Sequence, residues 1–142
     1  MRILAIDWGS KRLGLAVSDY TASIANPLPS LERRGDKVDI EKIRELVGKY
    51  EVEKVIVGVP FKESGEKGES ARKALEFAEK LMHNLEIPVE TVDERYSTSA
   101  AERSLLEADL SRRKRKNLRD GVAAAWFLQT YLDNEKLNRG LK

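Results

Sequence analysis

Three acidic residues stand at the ends of segments that carry apolar patterns: Asp7, Glu94 and Asp120. Their carboxylate oxygens are the hard ligands that Mg²⁺ and Mn²⁺ take from proteins. Two such ions about 4 Å apart can stabilise both the attacking and the leaving oxygens when a phosphodiester bond is cleaved. If the three side chains converge, the chemistry that they support is metal-dependent hydrolysis of a phosphodiester.

Each acid also has a structural interpretation that needs no metal. Asp is common at turns, where its side chain accepts hydrogen bonds from nearby backbone amides. Asp120 could interact with the positive end of its helix, which contributes about 0.3–1 kcal/mol, and Glu94 could pair with Arg95. Taken singly, Glu94 and Asp120 favour these structural roles. Asp7 follows an apolar strand, where a buried acid needs a partner or a metal.

Cations are concentrated next to these acids, although the net charge is only +2. Residues 112–119 read RRKRKNLR, with six cations in eight positions, and Asp120 follows directly. Such a run can grip phosphates or form a solvated charged surface, and its position beside a metal-ligand candidate favours nucleic-acid contact. The candidate nucleic-acid-binding residues are Lys11, Arg12, Arg95, Arg112, Arg113, Lys114, Arg115, Lys116 and Arg119.

The turn between the first two apolar runs reads GSKR at positions 9–12 and supplies two of these cations. It could hold a phosphate, or it could serve only to close a hairpin. Trp8, which precedes it, could stack on a nucleic-acid base. A tryptophan in a turn more often packs on its own domain, so both interpretations stay open.

The composition excludes several other kinds of site. The 142 residues are 41% apolar and 35% charged, which is typical of one globular domain. There is no cysteine, so disulfides and thiolate metal sites are excluded, and the single histidine, His83, argues against a histidine zinc site or a Ser-His-Asp triad. The sequence contains no signal peptide and no apolar run of bilayer length, so we expect a cytoplasmic protein without membrane contact.

Apolar spacing predicts the elements that must position these side chains. We expect strands at 2–7, 13–18, 24–31, 53–59 and 88–94, and helices at 40–50, 71–85, 99–108 and 118–132. Ser99 and Glu102 form a capping box that starts the third helix. Pro27 and Pro29 remove donors from the ladder, so the third strand should lie at a sheet edge.

The order of these elements, β-β-β-α-β-α-β-α-α, predicts the fold class. The first three strands can pair antiparallel, whereas the later strands are separated by helices and should join in parallel through right-handed crossovers. We expect one α/β domain over residues 1–142, with a five-stranded mixed sheet and helices on both faces. Ligands of such sheets gather at the carboxyl ends of the parallel strands, where Asp7 and Glu94 would meet if their strands are neighbours.

Four segments stand out when they are taken together. They are AIDWGSKRLGLAVSD (5–19), VGVP (57–60), VDERYSTSAAE (92–102) and RDGVAAAWFLQTYLD (119–133). In this order they resemble the YqgF/RuvX family, whose D-x-G-x-x-R-x-G and D-E-R-x-S-T patterns are fairly specific. The resemblance covers nearly the whole chain.

The resemblance implies a Holliday-junction-resolvase-like nuclease with a ribonuclease-H-like fold. It implies that Asp7, Glu94 and Asp120 form the catalytic metal site, and that the protein matures the 5′ end of precursor small-subunit ribosomal RNA. The Holliday-junction role is an older assignment of the family, made by analogy with a resolvase.

The chain departs from the family pattern at two places. Ala123 stands where related resolvases offer a second acid three residues after Asp120, which leaves three carboxylates and could weaken binding of a second metal. The loop FKESGEKGES at 61–70 stands where relatives often have an Asp-Gly pair.

The residues and the resemblance together predict a Mg²⁺- or Mn²⁺-dependent nuclease that acts on structured RNA. Its partners would be precursor ribosomal RNA or branched DNA, with ribosomal particles as a further candidate. Three alternatives stay open: a non-catalytic RNA-binding ribosome-assembly factor, a Holliday junction resolvase that cuts DNA symmetrically as a dimer, and a phosphotransferase of the actin and sugar-kinase type. The last ranks lowest, because the chain is too short for the second domain that such enzymes use.

Overall fold

The computed structural model describes residues 1–60, 68–93 and 119–140, and within the last range it describes side chains for 121–136. Its elements, in chain order, are β1 Arg2–Asp7, β2 Arg12–Ser18, β3 Ala25–Glu32, α1 Asp36–Lys49, β4 Val52–Val59, α2 Glu69–Asn84, β5 Val89–Asp93 and α3 Arg119–Gly140. The predicted helix at 99–108 and residues 61–67 of the loop at 61–70 lie outside the described residues, and the end of that loop sequence begins α2 at Glu69.

The five strands form one mixed sheet in the order β3-β2-β1-β4-β5. β2 pairs antiparallel with both β1 and β3, whereas β4 pairs in parallel with β1 and with β5. The predicted fold class is confirmed. β3 lies at the sheet edge, as Pro27 and Pro29 predict, because a strand that lacks backbone donors is tolerated where one side needs no partner.

Helices cover both faces of the sheet. α1 and α2 pack on one face, in a core that contains Leu4, Ile6 and Phe77. α3 packs on the other face, where Phe127 and its neighbours contact Ile3 and Ala5. The alternation of side chains along β1 therefore sends even-numbered residues towards α1 and α2, and odd-numbered residues towards α3.

α1 and α3 extend furthest beyond their predicted bounds. α1 begins at Asp36 rather than at 40, because its first turn is polar and the apolar spacing marks only the buried part of the helix. α3 continues to Gly140, eight residues beyond the predicted end at 132. No helix in the described part of the chain combines the length and the apolar character that a bilayer crossing requires.

Candidate active site

Asp7 is the last residue of β1 and lies on the face of the sheet that α3 covers. Ile3 and Ala5 pack against α3, and Asp7 follows them with the two-residue period of the strand. The side chain is half-buried. It therefore stands at the carboxyl end of a central strand, where ligands of open α/β sheets bind.

Both residues opposite Asp7 in the sheet are glycines. Gly14 of β2 pairs with Asp7 on one side, and Gly58 of β4 pairs with it on the other. Neighbouring strands lie about 4.8 Å apart, so a larger residue at either position would place its side chain directly beside the carboxylate. The two glycines leave room around Asp7 for a cation or a substrate group.

The first turn of α3 lies directly on the main chain of the sheet. A Cβ at Gly121 would stand 2.7 Å from the Leu28 carbonyl oxygen and 3.1 Å from the Leu15 carbonyl oxygen, so any side chain there would force the helix away. Leu15 pairs with Ile6, the residue before Asp7. The first turn of α3, which includes the backbone of Asp120, therefore lies over β2 and β3, and β2 carries Gly14, the residue that pairs with Asp7.

β5 ends at the same edge of the sheet as β1 and β4. Gly58 pairs with Val92, and Val59 pairs with Asp93, the last described residue of β5. Val92 packs in the core beneath α3, and the Tyr131 hydroxyl donates to Glu90 Oε2 at 3.0 Å. Even-numbered positions of β5 therefore face α3.

Only part of the predicted metal site lies among the described residues. Glu94 follows Asp93 and is outside them, and of Asp120 the backbone is described without its side chain. Within the described residues no group of three His, Cys, Asp or Glu side chains could hold a metal ion. The donor chemistry nevertheless fits a divalent cation, because Asp7 offers carboxylate oxygens at the carboxyl end of a central strand.

The turn after Asp7 brings two of the predicted cations to the same end of the sheet. Lys11 and Arg12 are exposed there. A Cβ at Gly9 would stand 2.5 Å from the Arg12 carbonyl oxygen, so the chain can close this tightly only with glycine at position 9. Trp8 is 8% exposed and belongs to the core on the α1 and α2 face, so base stacking is not its role.

The remaining predicted cations have no described side chains. Arg119 is the first residue of α3, with its backbone described. The others lie outside the described residues, namely Arg95, Arg112, Arg113, Lys114, Arg115 and Lys116. His83 lies on the surface, with its side chain 76% exposed and 4.0 Å from Glu79.

Two residues near the site carry no obvious signal in the sequence. Arg33 follows β3, and its side chain is 13% exposed, while Asp39 in the first turn of α1 is completely buried. Arg33 Nε donates to Asp39 Oδ2 at 3.0 Å. An Arg after an edge strand and an Asp in a first helical turn normally read as surface residues, so sequence alone could not single them out.

Asp19, the acid that follows β2, has a structural role. Its carboxylate accepts hydrogen bonds from the Thr21 hydroxyl at 2.5 Å and from the backbone amides of Ser23 and Ile24 at 2.8 and 3.1 Å. These bonds, the Thr21 bond first, lower the pKa of Asp19 to about 2. Because β2 runs antiparallel to β1, Asp19 lies at the opposite end of the sheet from Asp7.

Solved structures with this fold include Holliday junction resolvases. RuvC of Thermus thermophilus in complex with a Holliday junction aligns over 95% of this chain and 96% of its own, with a TM-score of 0.63 and 17% identity. The fowlpox virus Holliday junction resolvase aligns over 94% of this chain and 99% of its own, with a TM-score of 0.55 and 18% identity. At this level of identity the likeness shows the fold.

Several proteins are much more similar to this chain in sequence than these solved structures are. A protein of Syntrophomonas wolfei named "Putative pre-16S rRNA nuclease" is 45% identical over 139 residues, covering 98% of this chain and 99% of its own length. A protein of Caldanaerobacter subterraneus with the same name is 44% identical over 137 residues, covering 96% and 99%. The family model described as "RuvX: Holliday junction resolvase" matches residues 1–134. The chain therefore belongs to the RuvX family.

Proposed function

We propose that this chain is a divalent-cation-dependent nuclease that cleaves structured RNA at the 5′ end of precursor small-subunit ribosomal RNA. The observation that carries the proposal is the setting of Asp7, which lies half-buried at a central strand end between Gly14 and Gly58. The first turn of α3 rests on β2, which pairs with β1 beside Asp7, and on β3. The name shared by the close relatives supports RNA as the substrate class.

Asp7, Glu94 and Asp120 would hold Mg²⁺ or Mn²⁺. Asp7 is fixed by the sheet, and Gly121, which follows Asp120, rests on the main chain of β2 and β3. The two-residue period of β5, in which Glu90 and Val92 face α3, leads us to expect Glu94 on that face as well. Bound cations would supply stabilisation of the charge that develops on the attacking and leaving oxygens of the phosphodiester.

Cations of the chain would bind and orient the RNA backbone. Lys11 and Arg12 are exposed in the turn after Asp7, so they can contact a phosphate next to the one that is cleaved. Arg95, Arg119 and the basic run at 112–116 are adjacent in sequence to Glu94 and Asp120. Their contribution would be largely electrostatic and therefore sensitive to salt.

The test is cleavage of a transcript that carries the 5′ leader of a small-subunit ribosomal RNA, with purified protein and Mg²⁺. We expect cleavage by the wild type, and loss of measurable cleavage in Asp7→Asn and in the presence of a chelator. Asp19→Asn is the matched control, because it neutralises a strand-end acid at the opposite end of the sheet, and it should cleave normally. Cleavage by Asp7→Asn, or cleavage that ignores the chelator, would contradict the proposal.

A DNA four-way junction is the second candidate substrate, and the description of the matching family model favours it. A resolvase makes paired symmetric cuts, which normally requires a dimer. The same preparation should therefore be assayed on a four-way junction, with its mass measured in solution. Paired cuts in the junction, with no cleavage of the RNA, would replace RNA by branched DNA as the substrate. Binding of RNA without any cleavage would favour the non-catalytic assembly factor.

A further inference from the structure

Arg33 connects the turn after Asp7 to the rest of the domain. Its Nη1 donates to the Gly9 carbonyl oxygen at 3.4 Å. Its backbone amide donates to the Lys11 carbonyl oxygen at 3.0 Å. One residue therefore holds two carbonyl groups of the turn that joins Asp7 to Lys11 and Arg12.

The other end of the same guanidinium is fixed to the first turn of α1. Nε donates to Asp39 Oδ2 at 3.0 Å, and Nη2 donates to Asp36. The second oxygen of Asp39 accepts the Arg34 amide at 3.0 Å. Lys80 of α2 donates to Asp36 at 2.6 Å, and this bond, together with Arg33, lowers the pKa of Asp36. The Asp36 carboxylate thus remains a charged partner of Arg33 at neutral pH.

Two aromatic rings complete the surroundings of the guanidinium. Its central carbon lies 5.2 Å from the centroid of Trp8 and 5.3 Å from the centroid of Phe77, which is within cation–π range. The Arg33 side chain is 13% exposed. A guanidinium that donates to three acceptors and contacts two rings has little surface left with which to bind a substrate.

We propose that Arg33 is a positioning residue, which holds the Trp8–Lys11 turn so that Lys11 and Arg12 present their charges beside Asp7. The proposal rests on the proposed function of the Asp7 site. Gly9 gives the turn its tight closure but no side chain, and Ser10 and Lys11 point into solvent. The planar fork of an arginine can bind a carbonyl and two carboxylates at fixed angles, whereas a lysine ammonium cannot reproduce that geometry.

The structure offers a matched pair of variants. Arg33→Lys keeps the charge and removes the fork. Arg44→Lys makes the same change on the exposed side of α1, where Arg44 donates to Glu41 and to the Asn84 carbonyl oxygen. Both proteins are to be assayed at a temperature where circular dichroism shows them to be fully folded. We expect kcat/KM for RNA cleavage to fall about 10-fold or more in Arg33→Lys, since small displacements of reacting groups cost up to about 100-fold, and to be unchanged in Arg44→Lys.

A second readout reports on the turn without any need for cleavage. The chain has two tryptophans, Trp8 and Trp126, so in a Trp126→Phe background the fluorescence comes from Trp8. Arg33→Lys should shift this emission to longer wavelength and increase its quenching by acrylamide, and it should weaken RNA binding measured with Asp7→Asn in the same chain. Asp36→Asn removes one partner of Arg33 and leaves the buried Asp39 pair, so it should shift the same signals by less. Asp36→Asn replaces Arg33→Lys as the test variant if Arg33→Lys fails to fold.

The outcomes separate the two proposals. If Arg33→Lys, or Asp36→Asn in its place, melts at a lower temperature but keeps wild-type Trp8 emission and RNA affinity, Arg33 is merely a stabilising residue and the positioning role is overturned. If the wild type cleaves nothing, while the variant exposes Trp8 and binds RNA more weakly, the nuclease proposal fails and the positioning of the turn by Arg33 stands.

Discussion

The α-carbon of Gly121 faces the carbonyl oxygen of Leu28 so closely that a Cβ would stand 2.7 Å from it. Real Cβ atoms do not approach a backbone oxygen to that distance, and neither the strand nor the helix can yield as a flexible side chain would. The first turn of α3 is therefore placed by direct contact between two main chains. Asp120 precedes this contact, so the height of the helix above the sheet sets its distance from Asp7.

Gly121→Ala should both destabilise the fold and reduce cleavage. The added methyl forces the first turn of α3 away from β2 and β3, which costs about 1–3 kcal/mol of the free energy of unfolding and moves Asp120 from its position. Gly48→Ala is the control, because a Cβ there meets nothing within 4 Å and alanine stabilises a helix by up to about 1 kcal/mol relative to glycine. Urea denaturation and the RNA cleavage assay measure the two effects. Normal cleavage by folded Gly121→Ala would contradict the role of this contact.

Asp39→Asn should lower the free energy of unfolding by about 3 kcal/mol, because it leaves the Arg33 guanidinium without its completely buried counter-ion. Glu41→Gln also breaks an ion pair of α1, but Glu41 and its partner Arg44 are largely exposed. It should change the free energy of unfolding by less than about 1 kcal/mol. Chemical denaturation of the two variants measures this difference. Equal effects would mean that burial of the pair contributes little.

The stability contribution of Asp19 should depend on pH. Its pKa is lowered from 3.8 to about 2 in the folded protein, by the Thr21 hydroxyl first and then by the amides of Ile24 and Ser23. A lowered carboxyl pKa stabilises the fold fully above pH 3.8, and this stabilisation is lost as the pH falls towards 2. We therefore expect Asp19→Asn to melt at a lower temperature than the wild type at pH 6, and the difference to shrink on acidification. A melting-temperature difference that stays constant between pH 6 and pH 2 would contradict the stabilising role of the ionised Asp19 carboxylate.

RNA binding should lose part of its salt dependence when the basic run is neutralised. Replacing Arg113, Lys114 and Arg115 with Gln should reduce the slope of log affinity against log salt by about 2, if all three contact phosphates of a single strand. The control replaces Lys37, Lys42 and Lys49, three exposed lysines of α1, and should leave the slope unchanged. Fluorescence anisotropy at several salt concentrations measures both. An unchanged slope in the first variant would mean that the three side chains are solvated and do not contact phosphates.

Local patterns in the sequence were sufficient for most of the fold. The continuous apolar run at residues 3–6 of β1 and the prolines in β3 record burial and missing backbone donors, so they are readable without knowing any neighbour. The same is true of the apolar stripe on α2, which extends over Glu69–Asn84. The placement of Asp7 at the carboxyl end of a buried strand follows from these patterns together with the order of the elements.

The sequence by itself thus determined the strands, the edge position of β3 and the acid at the end of β1. Only the tertiary structure decided that Gly14 and Gly58 flank Asp7, that Gly121 rests on the main chain, and that Arg33 holds the turn beside the site. The physical reason is that a sequence pattern reports only local properties, whereas these contacts join residues far apart in the chain. A periodic pattern records whether a side chain is buried, but it does not record which residue, tens of positions away, provides the surface that buries it.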